Sequence, residues 1–251
     1  MTNTDTVGST GRALHETHLP VAEIFGPTFQ GEGPHTGRVC SFVRLGLCNL
    51  ACVFCDTPYT WDRARFDVGA ECPEQNVTAV CDQVAGHNTP LTVITGGEPL
   101  IHQGRVAFIE LLNRLAQHGG IHVETNGTIP PTEHTRERVE HFTVSPKLSN
   151  NGADPCNKRV KPCVLRAFVE LAMAGRANFK FVVSDHGDLA EVDHLVAEHQ
   201  LPRSAVWIMP EGRTGDEILA KQATLADAVL KCGLNMTTRM HVLIWGDRRG
   251  V

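Results

Sequence analysis

The chain has 251 residues, 41% hydrophobic and 20% charged, enough for one globular α/β domain with a full core. A formal net charge of −5 and a pI of about 6.2 exclude a global basic field for nucleic acid or an anionic membrane. No stretch is long and apolar enough to span a bilayer, no charged-then-apolar leader is visible, and nine cysteines in a chain this size argue for a reducing cytoplasm over a disulfide framework.

Residues 1–19 are polar and aperiodic and read as a mobile tail, which leaves 20–251 as a single domain. Pro20–Phe25 alternates well enough for a short strand. Gly26–Pro34 holds three glycines and two prolines and must be a loop. Its glycines would let Gln30 and Glu32 approach a ligand closely; a plain surface turn is the alternative. Val39–Leu45 reads as the first core strand, and Asn76 is placed to cap a helix from Val77 to about Ala85. Leu91–Thr95 reads as a buried strand, followed by Gly96-Gly97-Glu98-Pro99. Apolar residues at helical spacing fill Arg105–Gln117, and Gly119-Gly120 stop that helix. Further strands are predicted at Ile121–Glu124, His141–Val144, Ala177–Val183, Ala205–Ile208 and Arg239–Ile244, with helices at Leu189–His199 and Gly215–Cys232.

About six βα units in series argue for a parallel sheet with outer helices. Every polar motif follows the C-terminal end of a strand, the rim where active sites sit in curled parallel sheets. A flat doubly wound sheet is the alternative, but its dinucleotide fingerprint is absent.

Directly after the first core strand, Cys48, Cys52 and Cys55 stand in CxxxCxxC spacing. Thiolates suit iron–sulfur clusters or zinc. Three thiolates on a cubane leave one iron open to a non-protein ligand, whereas plain electron carriers usually take four. A structural zinc site would want a fourth ligand, such as Cys40 or a histidine.

The cysteine motif, closed by Phe54-Cys55, together with Gly96-Gly97-Glu98-Pro99, resembles the radical S-adenosylmethionine (SAM) superfamily. The Gln30-Gly31-Glu32-Gly33 loop ahead of it resembles the 7-carboxy-7-deazaguanine synthase family, and the resemblance runs from about residue 20 to 251. It implies an α/β fold, a partial (β/α) barrel forming one catalytic domain. It also implies a 4Fe–4S cluster on Cys48, Cys52 and Cys55 whose open iron chelates SAM, which is cleaved reductively to a 5′-deoxyadenosyl radical. By the same resemblance, Gly97 and Glu98 would hold the SAM ammonium, and Phe54, Cys55 and Asp56 would touch adenine and ribose. Thr125, Asn126, Ser145, Pro146, Lys147 and Lys180 would be further SAM contacts, and Met209–Gly212 would wall the adenine. Thr57 would ligate Mg²⁺ beside the substrate, an ion that prefers oxygen donors.

The implied substrate is 6-carboxy-5,6,7,8-tetrahydropterin, contracted to 7-carboxy-7-deazaguanine with loss of ammonia, a step toward 7-deazapurines such as the queuosine precursor. The backbone at Phe29 and Gly31 and the side chains of Gln30 and Glu32 would match the pterin edge. Arg44 would pair the carboxylate, Thr95 would reach the substrate, His241 would face the pterin, and the chain end to Val251 would fold over it. Each has a blander reading: Arg44 in a structural salt bridge, Lys147 as a solvated loop lysine, His241 as a structural histidine. A flavodoxin or ferredoxin as electron donor, and a homodimer, are expected at the family level. Cys40, Cys72, Cys81, Cys156, Cys163 and Cys232 read as packing or surface cysteines, and the 148–162 linker as a mobile loop or dimer contact. Two other functions remain: a glycyl-radical-enzyme activase, disfavoured by the small-substrate loop, and a zinc-bound interaction module.

Overall fold

The computed structural model describes residues 16–251. Strands β1 (His18–Phe29) and β2 (Val39–Leu45) pair antiparallel. Strands β4 (Leu91–Gly96), β5 (Gly120–Thr125), β6 (His141–Val144), β7 (Ala177–Val183), β8 (Val206–Pro210) and β9 (Asn235–Met236) then continue from β2 in parallel. With β3 (Glu74–Asn76) on the outer edge of β1, the sheet order is β3-β1-β2-β4-β5-β6-β7-β8-β9. The two edges do not pair with each other, so the barrel is open. The loop after β1 bridges the concave side: Glu32 pairs with Lys180 on β7, and Gly33 N–H donates to Thr237 Oγ1 past β9 at 2.8 Å.

The helices are α1 (Val68–Glu71), α2 (Val77–Gly86), α3 (Val106–Leu115), α4 (Glu133–Arg138), α5 (Cys156–Arg159), α6 (Pro162–Met173), α7 (His186–Glu198), α8 (Gly215–Lys231) and α9 (Met240–Trp245). Asn76 caps α2 as its position suggests, accepting from Thr78 N–H at 2.9 Å. Asp185 caps α7 through the Gly187 and Asp188 N–H groups, so that helix starts at His186, ahead of the predicted Leu189. A capping box of Thr214 and Glu217 opens α8.

Alternation along the strands separates two environments. Val43, Leu45, Ile94, Val123, Phe142 and Phe179 are fully buried in the core shared with the helices. On the opposite pleat, Arg44 lies in register with Thr95, and Glu124 with Thr143. Lower in the barrel this inner face is apolar around Cys40, Phe42, Leu91 and Val93, and on it the rings of His35, His122 and His141 cluster in tilted and edge-on contacts with centroids 4.5–5.4 Å apart.

Several sequence expectations need correction. Leu19, assigned to the tail, is fully buried and pairs with Gln75; residues 1–15 lie outside the described residues. The predicted strand at 239–244 is helix α9, because β9 already occupies the edge beside β8 and Met240 N–H is drawn to the Gly31 carbonyl. Its apolar run does not alternate: Val242 is buried while Leu243 and Ile244 are 39% and 50% exposed. Met209 and Pro210 end strand β8 instead of forming a turn. Helix α6, unread in the sequence, buries Val164, Leu165, Phe168 and Leu171 behind a Pro162 start. The 148–162 linker is structured by a 3₁₀ turn at Ser149–Asn151 and by α5.

Candidate active site

The C-terminal strand ends open on a cavity of about 410 Å³, walled on one side by Cys48, Cys52, Phe54, Cys55, Asp56 and Thr57. All three sulfurs meet polar hydrogens. Leu50 N–H approaches Cys48 Sγ at 3.5 Å, Asn151 Nδ2 donates to Cys52 Sγ at 2.8 Å, and Trp61 Nε1 to Cys55 Sγ at 3.4 Å. Such donors suit thiolates that ligate a cluster. Burial pushes the Cys48 thiol up to about 12, so a metal centre has to displace its proton. Among the described residues no three His, Cys, Asp or Glu side chains converge on a single ion. Cys48, Cys52 and Cys55 all line the one cavity. Cys40, the suggested fourth zinc ligand, is fully buried in the apolar cluster on β2.

The glycine turn packs directly on this loop. Gly97 N–H donates to Leu45 O at 3.0 Å and Glu98 N–H to Leu47 O at 2.8 Å. A Cβ on Gly96, where φ is +140°, would lie 2.1 Å from Leu45 O, and one on Gly97 would lie 2.0 Å from Leu47 O. Only glycine tolerates that approach. Gly97 lines the cavity, whereas the Glu98 carboxylate, expected at the SAM ammonium, is taken up by protein donors. Glu98 is fully buried, with Oε1 accepting from Leu100 N–H and Thr125 Oγ1 and Oε2 from Asn126 N–H. It fixes the Thr125-Asn126 turn instead. Thr125, Asn126, Ser145 and Lys147 line the cavity, with Lys147 Nζ donating to Ser145 Oγ at 2.9 Å; Pro146 does not reach it. Met209, Glu211 and Gly212 complete that side.

Opposite stand Phe29, Gln30, Gly31, Glu32, Arg44, Thr95, His241 and Val251, gathered from five separate stretches of chain. Glu124 organises two of them, accepting from Gln30 Nε2 at 3.2 Å and Thr95 Oγ1 at 2.8 Å. Glu32 is held by Lys180 and by Arg239 Nε at 3.1 Å. Burial opposes the Glu32 charge, but these two cations outweigh it and hold its carboxyl well below the usual range. Lys180, expected at SAM, thus serves the Glu32 side. Burial lowers the His241 pKa, so its imidazole is neutral near pH 7. A Cβ on Gly31 would lie 2.1 Å from His241 Nδ1, so glycine lets the ring sit on the loop. The Gly31 carbonyl, part of the backbone expected to match the pterin edge, accepts from Met240 N–H at 2.9 Å. Arg44 Nε donates to Glu23 Oε2 at 2.7 Å while its side chain stays in the cavity wall. Thr57 is buried in the wall with Oγ1 3.7 Å from Cys55 Sγ.

Sequence reading missed Arg239, which joins the two halves: its other nitrogens donate to Asp56 Oδ2 at 2.6 Å and Gly212 O at 2.8 Å. It also missed Asn151, Asp154, Trp61 and Glu23, and the ion pairs by which Arg249 anchors the chain end expected to fold over the site. Arg249 pairs with Glu23 and Glu71 and lies 3.9 Å over the Tyr59 ring, tying the chain end across the cavity mouth. Asn151 and Arg239 carry no local mark because their partners Cys52 and Asp56 lie 99 and 183 residues away, whereas Trp61 stands only six residues from Cys55.

Residues 43–162, which carry the three thiols and the glycine turn, match the Radical SAM superfamily. A 7-carboxy-7-deazaguanine synthase from Pyrobaculum aerophilum is 38% identical over 92% of this chain and 96% of its own. One from Hyperthermus butylicus is 37% identical, covering 91% and 93%. The chain belongs to the 7-carboxy-7-deazaguanine synthase family. The crystal structure of QueE from Escherichia coli, 24% identical, covers 96% of this chain and all of its own with a TM-score of 0.63, so the fold is shared.

Proposed function

We propose that this enzyme contracts 6-carboxy-5,6,7,8-tetrahydropterin to 7-carboxy-7-deazaguanine with loss of ammonia, as a radical SAM lyase in 7-deazapurine biosynthesis. One observation carries the reading: the Gln30–Glu32 loop and the three cysteine thiols face the same cavity. A protein-directed activase would need an open face, whereas here the loop and the chain end to Val251 wall the site.

Cys48, Cys52 and Cys55 would hold the 4Fe–4S cluster. When bound, the reduced cluster and SAM supply a carbon radical able to take hydrogen from the substrate carbon bearing the carboxylate. The backbone of Gly96 and Gly97 offers acceptors for the SAM ammonium, and Lys147 with Ser145 suits its carboxylate. Phe54, Asp56, Thr125 and Asn126 would position the nucleoside. The ionised Glu32 accepts from N–H groups of the pterin, and Gln30 and neutral His241 add further hydrogen-bond partners. Arg44 keeps nitrogens for the substrate carboxylate, and Thr57 offers one oxygen to Mg²⁺, whose remaining ligands would be substrate and water. The Arg249 tie to Glu23 and Glu71 would help keep the chain end over the site and so limit water near the radical.

A flavodoxin or ferredoxin would deliver the electron, and the active unit would be a homodimer. Among the described residues no helix is long and apolar enough to cross a membrane. A cytoplasmic location is supported by the nine free cysteines, which suit a reducing compartment. The test is anaerobic turnover of the reconstituted enzyme with reductant, Mg²⁺, SAM and the pterin, followed by mass. A deazapurine product with SAM regenerated supports the reading. SAM cleavage without that product would refute the substrate assignment.

A further inference from the structure

Asn151 comes from the linker after β6, yet it is wired into the cysteine loop. It is fully buried, and its Nδ2 lies 2.8 Å from Cys52 Sγ. The orientation of its amide is fixed by chemistry. Oδ1 accepts from both Ala153 N–H at 3.1 Å and Asp154 N–H at 2.7 Å, which only an oxygen can do. Nδ2 is therefore the atom that faces the sulfur, and it also donates to Asp154 Oδ2 at 3.2 Å. The backbone repeats the connection: Val53 N–H donates to Asn151 O at 3.0 Å and Ala51 N–H to Asp154 Oδ2 at 2.7 Å. Asp154 is anchored in turn by Lys158, and Arg159 ties the segment to Lys147 O. The two residues flanking Cys52 are thus pinned by this linker, and Cys52 itself receives the shortest contact of the three sulfurs.

An N–H donor stabilises negative charge on a thiolate, and the reduced state of a cluster carries one more negative charge than the oxidised state. A hydrogen bond to a ligand sulfur therefore favours reduction. We propose that Asn151 is a positioning residue that sets the reduction potential of the cluster through its hydrogen bond to Cys52, while the Asn151–Asp154 turn holds the cysteine loop in shape. This rests on the reading that Cys48, Cys52 and Cys55 hold the cluster.

The test compares the full-length reconstituted enzyme with Asn151→Asp, which keeps the oxygen acceptor and removes the donor, and Asn151→Leu, which removes both. Iron and sulfide content is measured first, then the midpoint potential by redox titration followed by electron paramagnetic resonance without substrate. Intact clusters that are harder to reduce, with the reduced-to-oxidised ratio at a fixed potential down about three- to tenfold, are expected. Intact clusters with an unchanged ratio would overturn the proposal. If the variants assemble no cluster, wild-type enzyme carrying ¹⁵N in its asparagine amides decides. A strong ¹⁵N coupling in the reduced cluster's electron–nuclear double resonance supports the bond, and its absence refutes it. Asn126 Nδ2, 3.9 Å from Cys48 Sγ, is too distant to give a coupling of that size. A wild-type protein that binds no cluster would instead sink the cysteine assignment itself, and this proposal with it.

Discussion

Arg239 is the residue whose replacement tests the two-sided construction of the site most sharply. Its guanidinium makes contacts at 3.1 Å to Glu32, 2.6 Å to Asp56 and 2.8 Å to Gly212 O, each through a different nitrogen. A lysine keeps the charge but satisfies essentially one of these positions. Hydrogen bonds involving a charged group contribute about 1.5–3 kcal/mol each. The Asp56 contact deserves less, about 0–1 kcal/mol, because Asp56 is 49% exposed. Arg239→Met should therefore destabilise by about 4 kcal/mol, within the range for breaking a buried pair, and Arg239→Lys by about 2 kcal/mol. In a chain of this size these correspond to drops of roughly 8–16 °C and 4–8 °C in the thermal midpoint. Circular dichroism melting of the three proteins gives the comparison. A lysine variant as stable as wild type would show that the fork geometry is immaterial. A methionine variant within about 0.5 kcal/mol of wild type, the range of ordinary surface changes, would refute the bridge altogether.

Burial holds His35 near 4 and His122 near 3, against 6.5 for a free imidazole. Below pH 6.5 the unfolded chain gains protons that the fold refuses, so stability should fall with acid at up to about 1.4 kcal/mol per pH unit for each histidine. The pH dependence of the melting midpoint between 6.5 and 4 should be shallower in His122→Phe, and an identical slope would contradict this. Gly31→Ala puts a methyl 2.1 Å from His241 Nδ1, so the ring must move; KM for the pterin should rise on the order of tenfold with iron content unchanged, and a normal KM would argue against a His241 contact. Arg249→Ala should cost at most about 1 kcal/mol, since Arg249 is half exposed, yet raise KM by loosening the chain end over the cavity; unchanged kinetics would remove the latch from the account.

The cysteine spacing, the glycine turn and the strand ends were legible because each is local: CxxxCxxC is a loop-scale signal, and alternation fixes which pleat faces inward. Strands β2, β6 and β7 came out with the bounds read from the sequence. What stayed hidden depends on distance along the chain. Asn151 meets Cys52 from 99 residues away and Arg239 meets Asp56 from 183, and neither position carries a local mark. Glu98 was read by its motif as facing a ligand, but three protein donors turn its carboxylate inward. The 239–244 run reads as a strand from its β-branched and apolar residues Met240, Val242, Leu243 and Ile244, too short a stretch for periodicity to decide. The neighbouring strand slot, already filled by β9, decides for a helix.

The central claim is that the Glu32 loop presents the pterin to a radical generated at the three cysteines. Its most direct test uses substrate carrying deuterium on the carboxylate-bearing carbon, turned over anaerobically, with the SAM recovered and its 5′ carbon examined by mass spectrometry. Deuterium on that carbon is expected with the wild-type enzyme, with much less in Glu32→Gln and none in Cys48→Ala. Unlabelled SAM alongside normal product formation would contradict the account.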